Sequence, residues 1–192
     1  MELVFASNNG HKLQEIKTKI GSKHKILSLK DVNIKEELPE TSPTIEGNAQ
    51  QKAEYLYNNY HHNCFADDTG LEIEALHGAP GVISARYAGP DCSAKANMDK
   101  VLSQMNGVEN RKALFRTIIC LIINNEKYFF EGIVKGKIAL SLSGNEGFGY
   151  DPIFIPDGYD ISFAEMSISI KNEISHRGKA TKLLLEFLNN LD

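Results

Sequence analysis

The sequence predicts a mixed α/β fold, and three observations lead there. Short apolar runs alternate with helically spaced apolar residues through the first half, two long β-rich runs joined by a tight turn dominate the second, and the chain ends on a clear apolar helical stripe. Interleaved strands and helices favour parallel pairs, whereas a hairpin is antiparallel, so a sheet holding both is mixed rather than purely parallel. The 192 residues suit one domain over 1–192, or one domain of two lobes. At that length folding buries about two-thirds of the unfolded chain's surface.

Leu3–Ala6 reads as a short buried strand. Ser7-Asn8-Asn9-Gly10 then supplies cap and turn chemistry, and Leu13, Ile16 and Ile20 predict a helix from about His11 to Ile20. Ile26–Leu29 is a second strand, and Glu36–Pro43 a polar loop. Ala49, Ala53, Leu56, Tyr57 and Tyr60 mark one face of a second helix. Cys64–Asp67 predicts a strand ending in Asp67-Asp68-Thr69-Gly70, and Gly78-Ala79-Pro80-Gly81 a turn. Ala94, Met98, Val101, Leu102 and Met105 give a third helix. Ala113–Ile123 and Lys127–Ile138, joined by Asn124-Asn125-Glu126, read as a long hairpin. A glycine-rich loop covers Gly144–Gly149. In the last helix Ser175 is the expected N-cap, and Ala180, Leu183, Leu184, Phe187, Leu188 and Leu191 form the stripe.

Composition excludes several classes. Hydrophobic residues at 42% and charged residues at 24% are those of a globular chain, not a disordered or fibrous one. No run of 18 apolar residues exists, so a spanning helix is not expected. Met1–Ser7 lacks the basic and apolar regions of a secretory signal. Cys64, Cys92 and Cys120 are odd in number and widely spaced, which argues against a disulfide framework or zinc site and fits a reducing cytoplasm. The balance of 21 Lys and Arg against 25 Asp and Glu gives a net charge of −4, where nucleic-acid binding wants a basic face.

Five constellations carry chemistry. Ser7-Asn8-Asn9-Gly10-His11-Lys12, between a strand and a helix, points backbone N–H groups and a lysine toward a phosphate, or is simply an N-cap with a solvated lysine. Asp67-Asp68-Thr69-Gly70 suits a hard metal and a water, with one Asp facing the site and the other supporting the chain, or is an Asx-turn. The loop Glu36-Glu37-Leu38-Pro39-Glu40 could supply the second carboxylate of a Mg²⁺ site, or be a solvated acidic surface. In Gly147-Phe148-Gly149-Tyr150-Asp151-Pro152 two aromatic rings could sandwich a base while Asp151 reaches a base edge or fixes the loop. Lys171 and Ser175-His176-Arg177-Gly178 place cations in a first helical turn, against the macrodipole, which marks either a base- or phosphate-reading site or exposed charge. Together these are the inventory for a nucleoside phosphate.

In order and spacing, the set resembles the inosine triphosphate pyrophosphatase family, which removes ITP, dITP and XTP from nucleotide pools. The resemblance spans essentially the whole chain. SNNGHKLQEI is similar to the family's phosphate loop and helix, with Ser7, Asn9, Lys12 and Glu15 on patterned positions and Asn8 where many members have glycine. GNAQQKA places Lys52 on a phosphate-contacting lysine. ADDTGLEI places Asp68 on the general-base and metal position beside Thr69. GAPGVISARYAG places Arg86 on a basic, substrate-side position. GFGYDPIF, from Phe148 through Gly149 and Tyr150 to Asp151, resembles the base clamp, and Lys171, His176 and Arg177 the purine readers. Counting back from Asn48 and Lys52 puts the family's metal glutamate at Glu40, with Glu36 and Glu37 close by.

The resemblance implies an elongated fold of two lobes around a central mixed sheet flanked by helices, the nucleotide in a cleft between them. It also implies a homodimer, a Mg²⁺ requirement, and hydrolysis of a purine nucleoside triphosphate to monophosphate and pyrophosphate. Glu40 and Asp68 would hold Mg²⁺, Lys12 and Lys52 the phosphates, and Asp68 would orient or deprotonate water, with Asp67 able to share that work. His176 and Arg177 would donate to the 6-oxo group of hypoxanthine or xanthine, over a stacked Phe148. A septum-formation-type pyrophosphatase for modified pyrimidines is the alternative enzyme, disfavoured by GFGYD with SHRG. A purine-nucleotide sensor without turnover is disfavoured by the intact carboxylates.

Overall fold

The computed structural model of the protein describes residues 1–21 and 23–191. Seven strands, β1 (Glu2–Phe5), β2 (Lys25–Ser28), β3 (Cys64–Ile73), β4 (Pro80–Gly81), β5 (Lys112–Ile123), β6 (Glu126–Ile138) and β7 (Phe154–Pro156), form one sheet in the order β2-β1-β3-β5-β6-β7, with β4 paired to β3. β1 runs parallel to β2 and β3, whereas the β3–β4 and β6–β7 pairs are antiparallel, so the sheet is mixed as expected. Among the described residues five α-helices accompany it: α1 (Gly10–Ile20), α2 (Ile45–Tyr60), α3 (Ala94–Gln104), α4 (Ile168–Ile174) and α5 (His176–Asn189). Among the described residues no helix is long and apolar enough to cross a membrane.

Local chemistry sets most boundaries. Asn9 caps α1 by accepting from the Lys12 N–H, Thr44 caps α2 on Gly47, and Ser93 caps α3 on Ala96. Asn124 and Asn125 both adopt positive φ, the pair of left-handed residues that a two-residue hairpin requires, and asparagine tolerates them best after glycine.

The chain divides into two compact units. Unit 1 comprises Met1–Asp68, Thr117–Gly132 and His176–Asp192; unit 2 comprises Thr69–Arg116 and Ile133–Ser175. In unit 1, Ile16 and Ile20 of α1 and Ala180, Leu184 and Leu188 of α5 pack with Leu3, Phe5, Phe65, Ile119 and Leu121 of the strands. Gly132 lets β6 approach the start of α5: a Cβ there would strike the backbone carbonyl of His176. The stripe of α5 is narrower than expected, because Leu183 is exposed, and shorter, because Leu191, also exposed, lies past its end. In unit 2, Met98 and Val101 of α3 and Met105 at its C-terminal end pack with Leu71, Phe115, Phe154 and Phe163.

Three elements differ from the expectation. β3 does not end at Asp67-Asp68-Thr69-Gly70 but runs extended through it to Ile73, which removes the Asx-turn alternative. The three-residue β7 is too short to show a period. α4 inverts the usual pattern, burying Lys171 and Asn172 while exposing Ile168 and Ile170, so hydrophobic periodicity could not find it.

Candidate active site

Unit 1 gathers charged residues from four stretches of chain. Neighbouring residues of an extended strand face opposite ways, and Asp67 and Asp68 of β3 accordingly have different partners. Asp67 is fully buried. Its Oδ1 lies 3.0 Å from Lys12 Nζ, one turn into α1, and its Oδ2 accepts from Arg177 Nε at 3.1 Å. Arg177, equally buried near the start of α5, gives Nη1 to Glu15 Oε2 at 2.5 Å. The result is a chain of alternating sign, Lys12–Asp67–Arg177–Glu15. Burial alone would raise the Asp67 carboxyl, but the charges of Lys12, Arg177 and Lys52 outweigh it and hold the group well below the usual carboxylate range. Burial also pulls the Lys12 ammonium down, helped by Lys52 and Arg177 and opposed by Asp67 and Asp68. Both Asp67 oxygens are thus committed to cations.

Asp68 faces the other set. Its Oδ2 accepts from Asn48 Nδ2 at 3.2 Å, and its Oδ1 lies 3.8 Å from Lys52 Nζ. Lys52, buried on α2, also donates to Glu40 Oε1. Burial raises the Asp68 carboxyl above its ordinary value, Glu40 and Asp67 push the same way, and Lys52 and Lys12 oppose them. A carboxylate raised in this manner is suited to take a proton from water.

The three glutamates of the preceding loop are now distinguished. Glu36 accepts from the hydroxyls of Tyr55 and Tyr60, which moors the loop to α2. Glu37 is exposed, and only Glu40 reaches Lys52. Glu40 and Asp68 thus converge on one ammonium. Among the described residues no group of three or more His, Cys, Asp or Glu converges. A cation here would have two carboxylate ligands and draw the rest from water or phosphate, the habit of Mg²⁺.

Around this cluster Ser7 is half-buried and accepts from the Asn9 N–H at 3.2 Å, while Asn8, Gly10 and His11 are exposed at the start of α1. Thr69, half-buried, follows Asp68 on β3. Arg86 is exposed on a 3₁₀ turn, Ser84–Arg86, of unit 2.

The second constellation lies in unit 2. Asp151 Oδ2 accepts from the Phe148 N–H at 2.8 Å and from Lys171 Nζ at 2.6 Å, and both ionised side chains are buried. The ammonium also sits 4.9 Å from the centroid of the Phe148 ring, in cation–π range. Gly147, at φ +75°, leaves room for this: a Cβ would meet Asp151 Oδ2. Gly149 is half-buried at φ +64°.

Three expectations change on this geometry. Tyr150 does not sandwich anything with Phe148; its ring is core, and its hydroxyl donates to Ser84 O at 2.7 Å. Asp151 and Lys171 fix the loop as a mutual pair, because a buried ammonium and carboxylate each require the other. Arg177 is not an open donor at a helix start: it stands against the macrodipole because Asp67 and Glu15 compensate it. His176 beside it is also buried. One residue was missed. Asn48 bridges the Glu40 loop and Asp68, and its signal was a polar side chain on the inward face of α2, between Ile45 and Ala49.

Comparison with known proteins gives consistent matches over the full length. Residues 3–187 match the Ham1 family. A dITP/XTP pyrophosphatase of Flavobacterium psychrophilum is 54% identical over 99% of this chain and 100% of its own. One from Porphyromonas gingivalis is 51% identical over 97% of each. The solved Ham1 protein of Staphylococcus aureus superposes with a TM-score of 0.90 at 37% identity, covering 100% of both chains. A nucleoside-triphosphatase, dITP/XTP pyrophosphatase of Mycobacterium abscessus does so at 0.77 with 39% identity, over 96% of this chain and 99% of that one.

Proposed function

The chain belongs to the Ham1 family, and from that premise we propose that it hydrolyses non-standard purine nucleoside triphosphates, ITP, dITP and XTP, to the monophosphate and pyrophosphate. The observation that carries this reading is Asp68, a carboxylate raised by burial and flanked by Lys52, Glu40 and Asn48.

Glu40 and Asp68 would hold Mg²⁺, which when bound neutralises charge on phosphate oxygens and orients them. Asp68 orients the attacking water and takes its proton as the bond between the α- and β-phosphates breaks. Lys12 and Lys52, with the Ser7–Gly10 backbone and His11, receive the triphosphate. Lys52 is engaged with carboxylates in this structure and turns to phosphate when substrate arrives. Asp67 keeps the Lys12 ammonium aimed and charged, and Arg177 with Glu15 keeps Asp67 ionised. Thr69 and Arg86 complete the substrate side.

Phe148 stacks on the purine, with Gly149, Tyr150, Asp151 and Lys171 shaping the loop that presents it. His176 donates to the 6-oxo group, since two Arg177 donors are occupied by carboxylates. Adenine puts an amine at that position, and donor then faces donor. The reading includes a homodimer and a cytoplasmic setting. It rests there on the resemblance and on cysteines that are all free.

The test is pyrophosphate release from ITP, XTP, ATP, GTP and dTTP, each with and without Mg²⁺. Release from ITP and XTP only with Mg²⁺, and well above ATP, is expected. Equal turnover of dTTP would move the enzyme to the pyrimidine-cleaning class. Binding of ITP without release would make it a sensor.

A further inference from the structure

We infer that Asn48 is a positioning residue that sets the orientation of Asp68 and, through the same amide, its spacing from Glu40. The inference deepens the proposed function and rests on it.

The argument begins with what the amide can and cannot do. Asn48 is fourth in α2, and at 1% exposure it is shut off from bulk solvent. Its Oδ1 accepts from the backbone N–H of Ser42 at 2.9 Å. A backbone N–H can only donate, so the oxygen end must face Ser42, and the NH₂ end is obliged to face Asp68 Oδ2, 3.2 Å away. The orientation of this side chain is therefore dictated by its two neighbours and not by choice of assignment.

Two consequences follow for the carboxylates. The Asn48 donor occupies Oδ2 of Asp68, which leaves Oδ1 as the oxygen turned toward Lys52, the ammonium that Glu40 also meets. The Ser42 N–H, two residues after Glu40, is held by the other end of the same rigid amide. Thr41 is pinned alongside, its N–H on Gln51 Oε1 and its hydroxyl accepting from Gln51 Nε2. Asp68 on β3 and the loop bearing Glu40 are thus referenced to one short planar group on α2. Without it, Asp68 could rotate about χ2 and the two carboxylates would lose their fixed separation. Two-carboxylate cation sites depend on that separation, as positioning groups around metal ligands generally do.

A residue that served stability alone would lower Tm and leave cation binding and turnover as they are. The quantities read are therefore Mn²⁺ binding without nucleotide, by electron paramagnetic resonance, and kcat and KM for ITP well below Tm. For Asn48→Ala we expect Mn²⁺ affinity to weaken about tenfold and kcat to fall roughly 10- to 100-fold, the range for loss of a ligand-orienting partner. KM for ITP should stay within a few-fold, because Lys12 and Lys52 are untouched. Asn48→Asp covers the case in which the alanine variant does not fold. It keeps shape and the acceptor for Ser42 but sets a carboxylate oxygen against Asp68, so kcat should again fall at least tenfold. Wild-type kcat in Asn48→Asp, or wild-type kcat and Mn²⁺ affinity in a folded Asn48→Ala of lowered Tm, would overturn the inference and reduce Asn48 to a residue that serves stability alone. Wild-type protein run in parallel separates the two levels: if it neither binds Mn²⁺ nor releases pyrophosphate from ITP, the proposed function falls and this inference with it.

Discussion

In unit 1, Lys12 and Arg177 meet carboxylates from remote parts of the chain, Lys12 reaching Asp67 across 55 positions and Arg177 reaching Glu15 across 162 and Asp67 across 110, while Lys52 meets Glu40 only 12 positions away. In unit 2, Lys171 meets Asp151 only 20 positions away, beneath the Phe148 ring. Both arrangements compensate buried charge, but they end differently. The unit 1 network opens at Asp68 and Glu40, the latter about a third exposed, where ionised oxygens can meet a cation and water. The unit 2 pair is buried, and beside it lies the Phe148 ring. Removing a group from the first should therefore cost chemistry or stability, whereas removing the ring from the second should cost affinity.

The sharpest way to break this contrast is Asp68→Asn. We expect kcat to fall about 10²- to 10⁴-fold, the contribution of a positioned proton acceptor. Burial disfavours the Asp68 charge, so the neutral amide should leave the melting temperature nearly unchanged. Pyrophosphate release and thermal melting on one sample check both; activity within a few-fold of wild type removes Asp68 from the chemistry.

Arg177→Met tests the closed end of the same network. It strands Asp67 and Glu15 as buried carboxylates, and breaking such a pair costs about 3–5 kcal/mol. Urea denaturation should report that loss, and the ratio of kcat/KM for ITP over ATP should hold. A ratio that narrows toward one would return Arg177 to the base edge.

Phe148→Ala addresses unit 2. Loss of base stacking, about 1–3 kcal/mol, should raise KM for ITP roughly five- to 150-fold with kcat and urea stability near wild type. A collapse of kcat instead would mean that the ring does more than hold the base.

The smallest effect lies at the mooring of the Glu40 loop. The hydrogen bond to Glu36 pushes the Tyr60 phenol up to about 12 from 10.0. A folded value above the unfolded one means that this support is fully present below pH 10 and disappears as pH rises through 12. Glu36→Gln should bring the phenolate transition, followed by ultraviolet absorbance, back toward 10. An unchanged titration would show that Glu36 does not hold Tyr60.

Much of the fold was legible because its signals are local. Asn9 as a cap, paired asparagines in the hairpin turn, and the spacing of Ile16 with Ile20 each act within a few residues. The candidate site was legible as an inventory of residue types in order, and the family with it. Its partnerships were not. Nothing near Glu36, Glu37 or Glu40 tells which one faces Lys52 and which two tyrosines claim; the loop's path over α2 decides that. α4 escaped for a related reason: it buries a lysine and an asparagine, which a hydrophobic period reads as the outer face.

The sequence by itself determined the mixed α/β class, the caps and turns, and the set of charged and aromatic groups on offer. Alternation along an extended strand even required that Asp67 and Asp68 face opposite ways. Only the tertiary structure decided which is held between Lys12 and Arg177 and which meets Asn48 and Lys52. That choice depends on burial and on the distance to cations contributed by α1, α2 and α5, and electrostatic energy in a desolvated site varies with those separations and not with position in the chain.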